Sequence, residues 1–490
     1  MARQFRITRA TLQVLKYLAA WLCGVFIAVV IAYVMLLNDR PDLSVWHVVE
    51  LDAEYSADSE VTSFAEYLQL EQRLFEQLGT LVYDEVASGP ENAINRYSRG
   101  SLSDPSALPV NWNRSFELKH AAPRASVLML HGLSDSPYSM RALAAGLHQQ
   151  GANVLGLRLP GHGTAPSGLV DVRWQDMAAA VKLAAKHMQE VTPDKPWYLV
   201  GYSNGGALAV DYALASLDDA SLPKPAGVIL LSPEIGVSDS AAFAVWQGRL
   251  GRVLGMDKLA WVSVLPEYDP YKYGSFAVNA GDLAYRITAH IQQQLSALQE
   301  KGKLQNMAPI LAFQSSTDAT VTATALVKNL FARLPPAGHE LVLFDINRRV
   351  ESSILLKQDP REEFAPLLED SSRGFDLTVV TNENSRSPRV RAFTAKGNSS
   401  ASASSVYIGD WPSGVYSLSH VALPFPPDDP IYGGPEAADA AGIQLGNLAL
   451  RGERGVLQLS ADDAVRLRWN PFFDYVEQRT LHFTSLEESP

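Results

Sequence analysis

The chain has 490 residues, with 41 Lys+Arg against 53 Asp+Glu, and its formal net charge of −12 is the wrong sign for a broad phosphate-binding face. Hydrophobic residues at 47% and charged residues at 19% exclude a wholly disordered, collagen-like or disulfide-scaffold protein. The single cysteine, Cys23, excludes an internal disulfide and a thiolate metal cluster, so no nucleic-acid partner and no cysteine-bound metal are expected.

Charge divides the first hundred residues. Arg3, Arg6, Arg9 and Lys16 are the only charges in 1–16, whereas 39–96 carries thirteen acids and three bases. Between them, Tyr17 to Asn38 has no charge, and at about 1.5 Å per residue a helix there crosses a hydrocarbon layer of about 30 Å. The expectation is a transmembrane helix over 17–38, with 1–16 cytoplasmic and the body on the far side, periplasmic or extracellular. A cleaved signal peptide is the rival reading, although no small-x-small site follows near Met35 to Arg40.

Residues 39–109 read as an acidic linker and helical stalk. Ser63 and Glu66 have capping-box spacing, and Val61, Phe64, Leu68, Phe75 and Leu78 recur at near-helical intervals. From 110 to 490 short apolar runs alternate with helical stretches, beginning Val127–Gly132, Asn153–Leu159, Trp197–Ser203, Val228–Glu234, Ile310–Asp318 and Glu340–Ile346. That alternation predicts a mostly parallel, doubly wound sheet covered on both faces. Two stretches interrupt it. One, about 235–308, is rich in aromatics (Phe243, Trp246, Trp261, Tyr268, Tyr271) and reads as a cap; the other, about 347–405, reads as a polar surface insertion with a hairpin and a mobile low-complexity end at 398–405.

The chemistry concentrates in Gly201-Tyr202-Ser203-Asn204-Gly205, a G-x-S-x-G between an apolar strand and an Ala-rich helix. A sharp turn there strains the serine backbone and exposes its hydroxyl, while glycines two residues either side let neighbouring backbone pass. The Asn204 N–H points into the same space, and Leu133, after His131-Gly132, supplies a second candidate donor for an oxyanion. In a fold of this kind the order is serine, acid, histidine. Asp318 follows a strand and precedes a helix, with Asp345 as substitute; among the later histidines His339, His420 and His482, the choice is His420, at the start of a Pro-rich loop. His131 reads as structural.

Together GYSNG, HGLSDSP and RLPGHGTAP resemble the α/β-hydrolase superfamily, in its monoacylglycerol lipase and serine-aminopeptidase-like branch, over roughly 110 to 345. The Gly161-His162-Gly163 turn is part of that resemblance, with His162 structural. The resemblance implies a cofactor-free serine esterase or lipase with a cap after the strand VILLSPE, acting on a small acyl ester or lipid. The departures are the long insertion before His420 and the N-terminal segment. A peptidase or amidase of the same fold, or a binding module that has lost turnover, are the alternatives, and no metal-ligand cluster or phosphate loop is seen.

Overall fold

A computed structural model of the chain describes residues 9–38, 41–236, 257–353, 356, 358–399, 402–437, 442–446 and 465–487. Six apolar runs build the centre of the fold: β1 (Phe116–Leu118), β2 (Ala125–Leu130), β3 (Ala152–Leu157), β4 (Trp197–Tyr202) and β5 (Gly227–Leu231), then β8 (Ile310–Ser315), with the small β6 (Trp261–Ser263) and β7 (Phe276–Ala277) pairing apart from them. The chain adds β9 (Glu340–Phe344), β10 (Asp376–Asn382), β11 (Arg389–Ala395) and β12 (Ser404–Asp410). The ten-stranded sheet runs β1-β3-β2-β4-β5-β8-β9-β10-β11-β12, parallel from β3 to β10 and antiparallel at both ends. This is the mostly parallel sheet of an α/β-hydrolase.

Every residue of β2, β3 and β4 is buried, because helices cover both faces of a sheet whose crossovers must return over it. Side chains alternate between two apolar layers: Leu128, Leu130 and Leu199 enter one, Val127, Met129 and Val200 the other. The helix Asn204–Asp218 lies in the first layer, and along it packs the helix Val278–Glu300 through Leu283, Ile287, Ile291 and Leu295. That second helix falls within the expected cap, and it packs along the helix Asn204–Asp218; four-residue spacing of its apolar positions buries one face against the core. The expected aromatics Phe243 and Trp246 lie outside the described residues.

The segment expected as a stalk is instead packed onto the body. Its helix Phe64–Leu78 starts at Ser63, whose hydroxyl accepts from the Glu66 amide at 3.2 Å while Glu66 returns a bond to the Ser63 N–H. Phe64, Tyr67, Leu74, Phe75 and Leu78 are buried, and the Tyr67 hydroxyl donates to the Arg158 carbonyl at 2.6 Å. Arg158, 1% exposed, binds Glu54 at 3.0 Å and Glu71 at 3.2 Å, which explains why an acidic segment adheres to the body.

The polar stretch after β9 differs from a loose surface insertion as well. Its strands β10, β11 and β12 extend the central sheet, and Ser404 and Ser405, expected in a mobile end, pair with Thr394 and Phe393. β10 is buried over most of its length, and β11 alternates, with Val390 and Ala392 buried between the more exposed Arg389, Arg391 and Phe393.

The expected membrane-crossing helix is not supported. A helix runs Arg9–Asn38. Among the described residues no helix is long and apolar enough to cross a membrane.

Candidate active site

Ser203 stands between β4 and the helix Asn204–Asp218 with φ 54° and ψ −118°, a region that L-residues rarely occupy. The turn holds because both neighbouring glycines are needed. A Cβ on Gly205 would lie 2.6 Å from the carbonyl oxygen of His131 and closer still to that of Leu130; one on Gly201 would meet Gly205 backbone. The Ser203 N–H donates to the Leu231 carbonyl at 3.0 Å, tying the turn to the next strand. The serine side chain is brought to the C-terminal edge of the sheet.

His420 opens a short helical turn, His420–Ala422, and is 6% exposed. Its Nε2 lies 2.9 Å from Ser203 Oγ and its Nδ1 lies 2.7 Å from Asp318 Oδ2. A carboxylate only accepts, so Nδ1 carries the proton toward Asp318 and Nε2 is left to accept from the serine hydroxyl. Two contacts steady the histidine loop: Ser315 Oγ donates to the Leu418 carbonyl at 2.8 Å, and the Tyr202 ring lies 5.6 Å from the imidazole.

Asp318 follows β8 and has no exposed side-chain surface. Its Oδ1 accepts the Thr320 and Val321 amides at 2.8 and 3.0 Å, and Oδ2 accepts Gln314 Nε2 at 3.1 Å besides His420. Burial pushes its carboxyl upward, but the bond from His420, that residue's charge and the two amides outweigh it and hold Asp318 below the usual carboxylate range. The residue is kept ionised beside the imidazole.

Leu133 and Asn204 flank the serine as the expected donors. Among the described residues neither backbone N–H has a protein acceptor. The Leu133 loop is fixed from both sides: Tyr273 N donates to the Ser134 carbonyl at 2.8 Å, and His131 Nε2 accepts the Leu159 N–H at 3.0 Å while its Nδ1 donates to the Gly132 carbonyl. Burial first, then the nearby His162, push His131 well below the ordinary imidazole range, so it stays neutral and serves as a scaffold. His162 meets the Pro160 carbonyl through Nδ1 at 2.9 Å.

The structure does not bring the other candidates to this place. Asp345 is held by Arg348 at 2.5 Å and Arg361 at 3.1 Å. His339 accepts the Ile310 N–H at the opposite end of β8, and exposed His482 pairs with Glu487 at 3.0 Å. Sequence reasoning missed Gln314, which steadies Asp318, and Tyr202, the variable residue of the motif; nothing in their spacing marks either role. Among the described residues no group of His, Cys, Asp and Glu could hold a metal ion.

Residues 121–347 match the family model described as serine aminopeptidase, S33. The matched region contains Ser203, Leu133, Asn204 and Asp318 and ends before His420; it supports a hydrolase. No curated protein matches the sequence. Among solved structures, the chain is similar to a metagenome-derived lipolytic enzyme at 20% identity, over 54% of this chain and 99% of that one, with TM-score 0.37. It is also similar to a Paleococcus ferrophilus monoacylglycerol lipase at 18% identity, over 47% and 88%, with TM-score 0.36. A soluble variant of a Saccharomyces cerevisiae monoglyceride lipase matches at 16% identity over 47% and 81%, with TM-score 0.36. Likenesses at this level say nothing of substrate.

Proposed function

We propose that this chain is a membrane-anchored serine hydrolase that cleaves carboxylic esters, with Ser203 as nucleophile, His420 as general base and Asp318 as the carboxylate that orients it. The observation that carries the reading is the unbroken hydrogen-bonded series from Ser203 Oγ through His420 to Asp318 Oδ2. In the first step the Ser203 proton passes to His420 Nε2 as Oγ bonds to the ester carbonyl carbon. The carbonyl oxygen becomes an anion facing the Leu133 and Asn204 amides, where each such donor is worth about 3 kcal/mol or more. Collapse breaks the bond to the alcohol, which takes the proton from His420. Water then repeats the sequence on the acyl-enzyme and restores Ser203. No step calls on a cofactor.

The proposed body spans 110–490. Its substrate is a small acyl ester or a lipid-derived ester, and the uncharged run 17–38 with basic residues before it supports an anchor whose body lies outside the cytoplasm. The apolar side chains Trp21, Phe26 and Val29 of that helix are exposed. An amidase reading has one observation in its favour, the aminopeptidase description of the matched family model, and the same triad cleaves both bonds. A set of p-nitrophenyl esters of increasing chain length, run beside aminoacyl p-nitroanilides, tests the reading. Ester turnover abolished by Ser203→Ala is expected; anilide cleavage without ester cleavage would replace esterase by amidase, and no turnover of either would remove the enzyme reading.

A further inference from the structure

Beside the triad lies a cavity of about 170 Å³ that the mechanism above leaves unused. Three of its walls are continuous with the catalytic loops. Val421 follows His420, Asp135 lies two residues past Leu133, and Arg466 donates to Thr320 Oγ1 at 3.2 Å, next to the Asp318 turn. The cavity therefore adjoins the loops that carry His420, Asp318 and the Leu133 amide.

Its charge is unusual for an acidic protein. Arg466, Arg468 and Lys272 line it against Asp135 and Asp269. Both acids are already engaged: Asp269 Oδ1 accepts the Tyr432 hydroxyl at 2.5 Å and the amides of Tyr271 and Lys272, and Asp135 faces the Lys272 ammonium at 3.7 Å. The two arginines are not matched in the same way. Among the described residues each donates only to a neutral hydroxyl, Arg466 to Thr320 and Arg468 to Tyr268 at 3.3 Å, and neither has a carboxylate within ion-pair distance. A guanidinium carries five N–H donors in a planar fork suited to carboxylate and phosphate oxygens, and one bond each to a hydroxyl leaves the two cavity-lining arginines with donors to spare among the described residues. Size limits the occupant. At about 170 Å³ the space accommodates an anionic head on a short arm.

We infer that this cavity is a subsite for an anionic substituent, a carboxylate or a phosphate monoester, carried by the ester a few atoms from its scissile bond and gripped by Arg466 and Arg468. The inference rests on the ester-hydrolase reading for its substrate class, and its test separates the two. Binding is measured on the full chain with Ser203→Ala, which cannot turn over, using phenyl hydrogen glutarate, 1-butyrylglycerol 3-phosphate and neutral phenyl pentanoate. At least one anion should bind ten times more tightly than phenyl pentanoate, and whichever does so identifies the carboxylate or the phosphate as the source. That preference should fall at least tenfold on adding Arg468→Gln and be partly restored by Arg468→Lys, with Arg99→Gln as an exposed control. In parallel, the wild-type chain is assayed for hydrolysis of the same three esters. Anion preference that is absent, or that survives Arg466→Gln and Arg468→Gln in folded protein, overturns the subsite even if all three esters are hydrolysed. Preference without hydrolysis keeps the subsite and removes the esterase.

Discussion

His420 Nδ1 meets Asp318 Oδ2 at 2.7 Å although 102 residues of chain separate them. Much of the intervening segment is absorbed by strands β10 to β12, which extend the sheet beyond β9. If the pair works as a unit with Ser203, His420→Ala should lower kcat by about 10⁴-fold or more, and adding Asp318→Ala should cost little further. His339→Ala and His482→Ala should stay within a few-fold of wild type. Steady-state kinetics on a p-nitrophenyl ester check all four; additive losses in the double variant would separate the two residues functionally.

Gly205 makes room for the turn that carries the serine. Gly205→Ala places a methyl against the Leu130 and His131 carbonyls, which belong to the strand feeding the Leu133 loop. Both the serine and its oxyanion donors would shift, so kcat/KM should drop at least tenfold with a stability loss of about 1–3 kcal/mol. Kinetics together with urea unfolding measure the two effects.

Arg158 ties the N-terminal segment to the body through Glu54 and Glu71. Arg158→Met leaves those carboxylates without their cation in a buried place, and the expected loss is about 3–5 kcal/mol in urea unfolding. The triple change with Glu54→Gln and Glu71→Gln should recover much of it, because no uncompensated charge is then left inside.

The sheet and the serine turn were legible because each strand is a continuous apolar run and because a G-x-S-x-G between strand and helix has few structural solutions. The Ser63 cap was legible for the same local reason. Less accessible was what depends on pairing at a distance. The hairpin of 376–395 was legible but its pairing with β9 was not, since a ladder between distant strands leaves no local mark, and Arg158 gives no local sign that two acids some ninety to a hundred residues earlier will seek it. The helix 278–300 carried its apolar spacing openly, but spacing does not say that the face meets the helix Asn204–Asp218.

Glu234 offers a test in pH. It follows β5, and its Oε2 is buried without a partner among the described residues. Burial pushes its carboxyl from 4.5 up to about 7. The folded chain therefore keeps a proton that the unfolded chain has released, and stability falls as pH rises from about 4.5 to 7, the full penalty remaining above that. Glu234→Gln should match wild type near pH 4 and exceed its Tm by about 2 °C or more at pH 8. Parallel melting curves across that range would read it, and equal slopes for the two proteins would refute the assignment.

The central claim is that Ser203 is the activated nucleophile, and the intact mass of the folded chain after exposure to a fluorophosphonate probe tests it most directly. The account predicts one adduct per chain, mapped to Ser203 by peptide sequencing, absent in Ser203→Ala and strongly slowed in His420→Ala. Labelling of another serine, or none in folded wild-type protein, would contradict it.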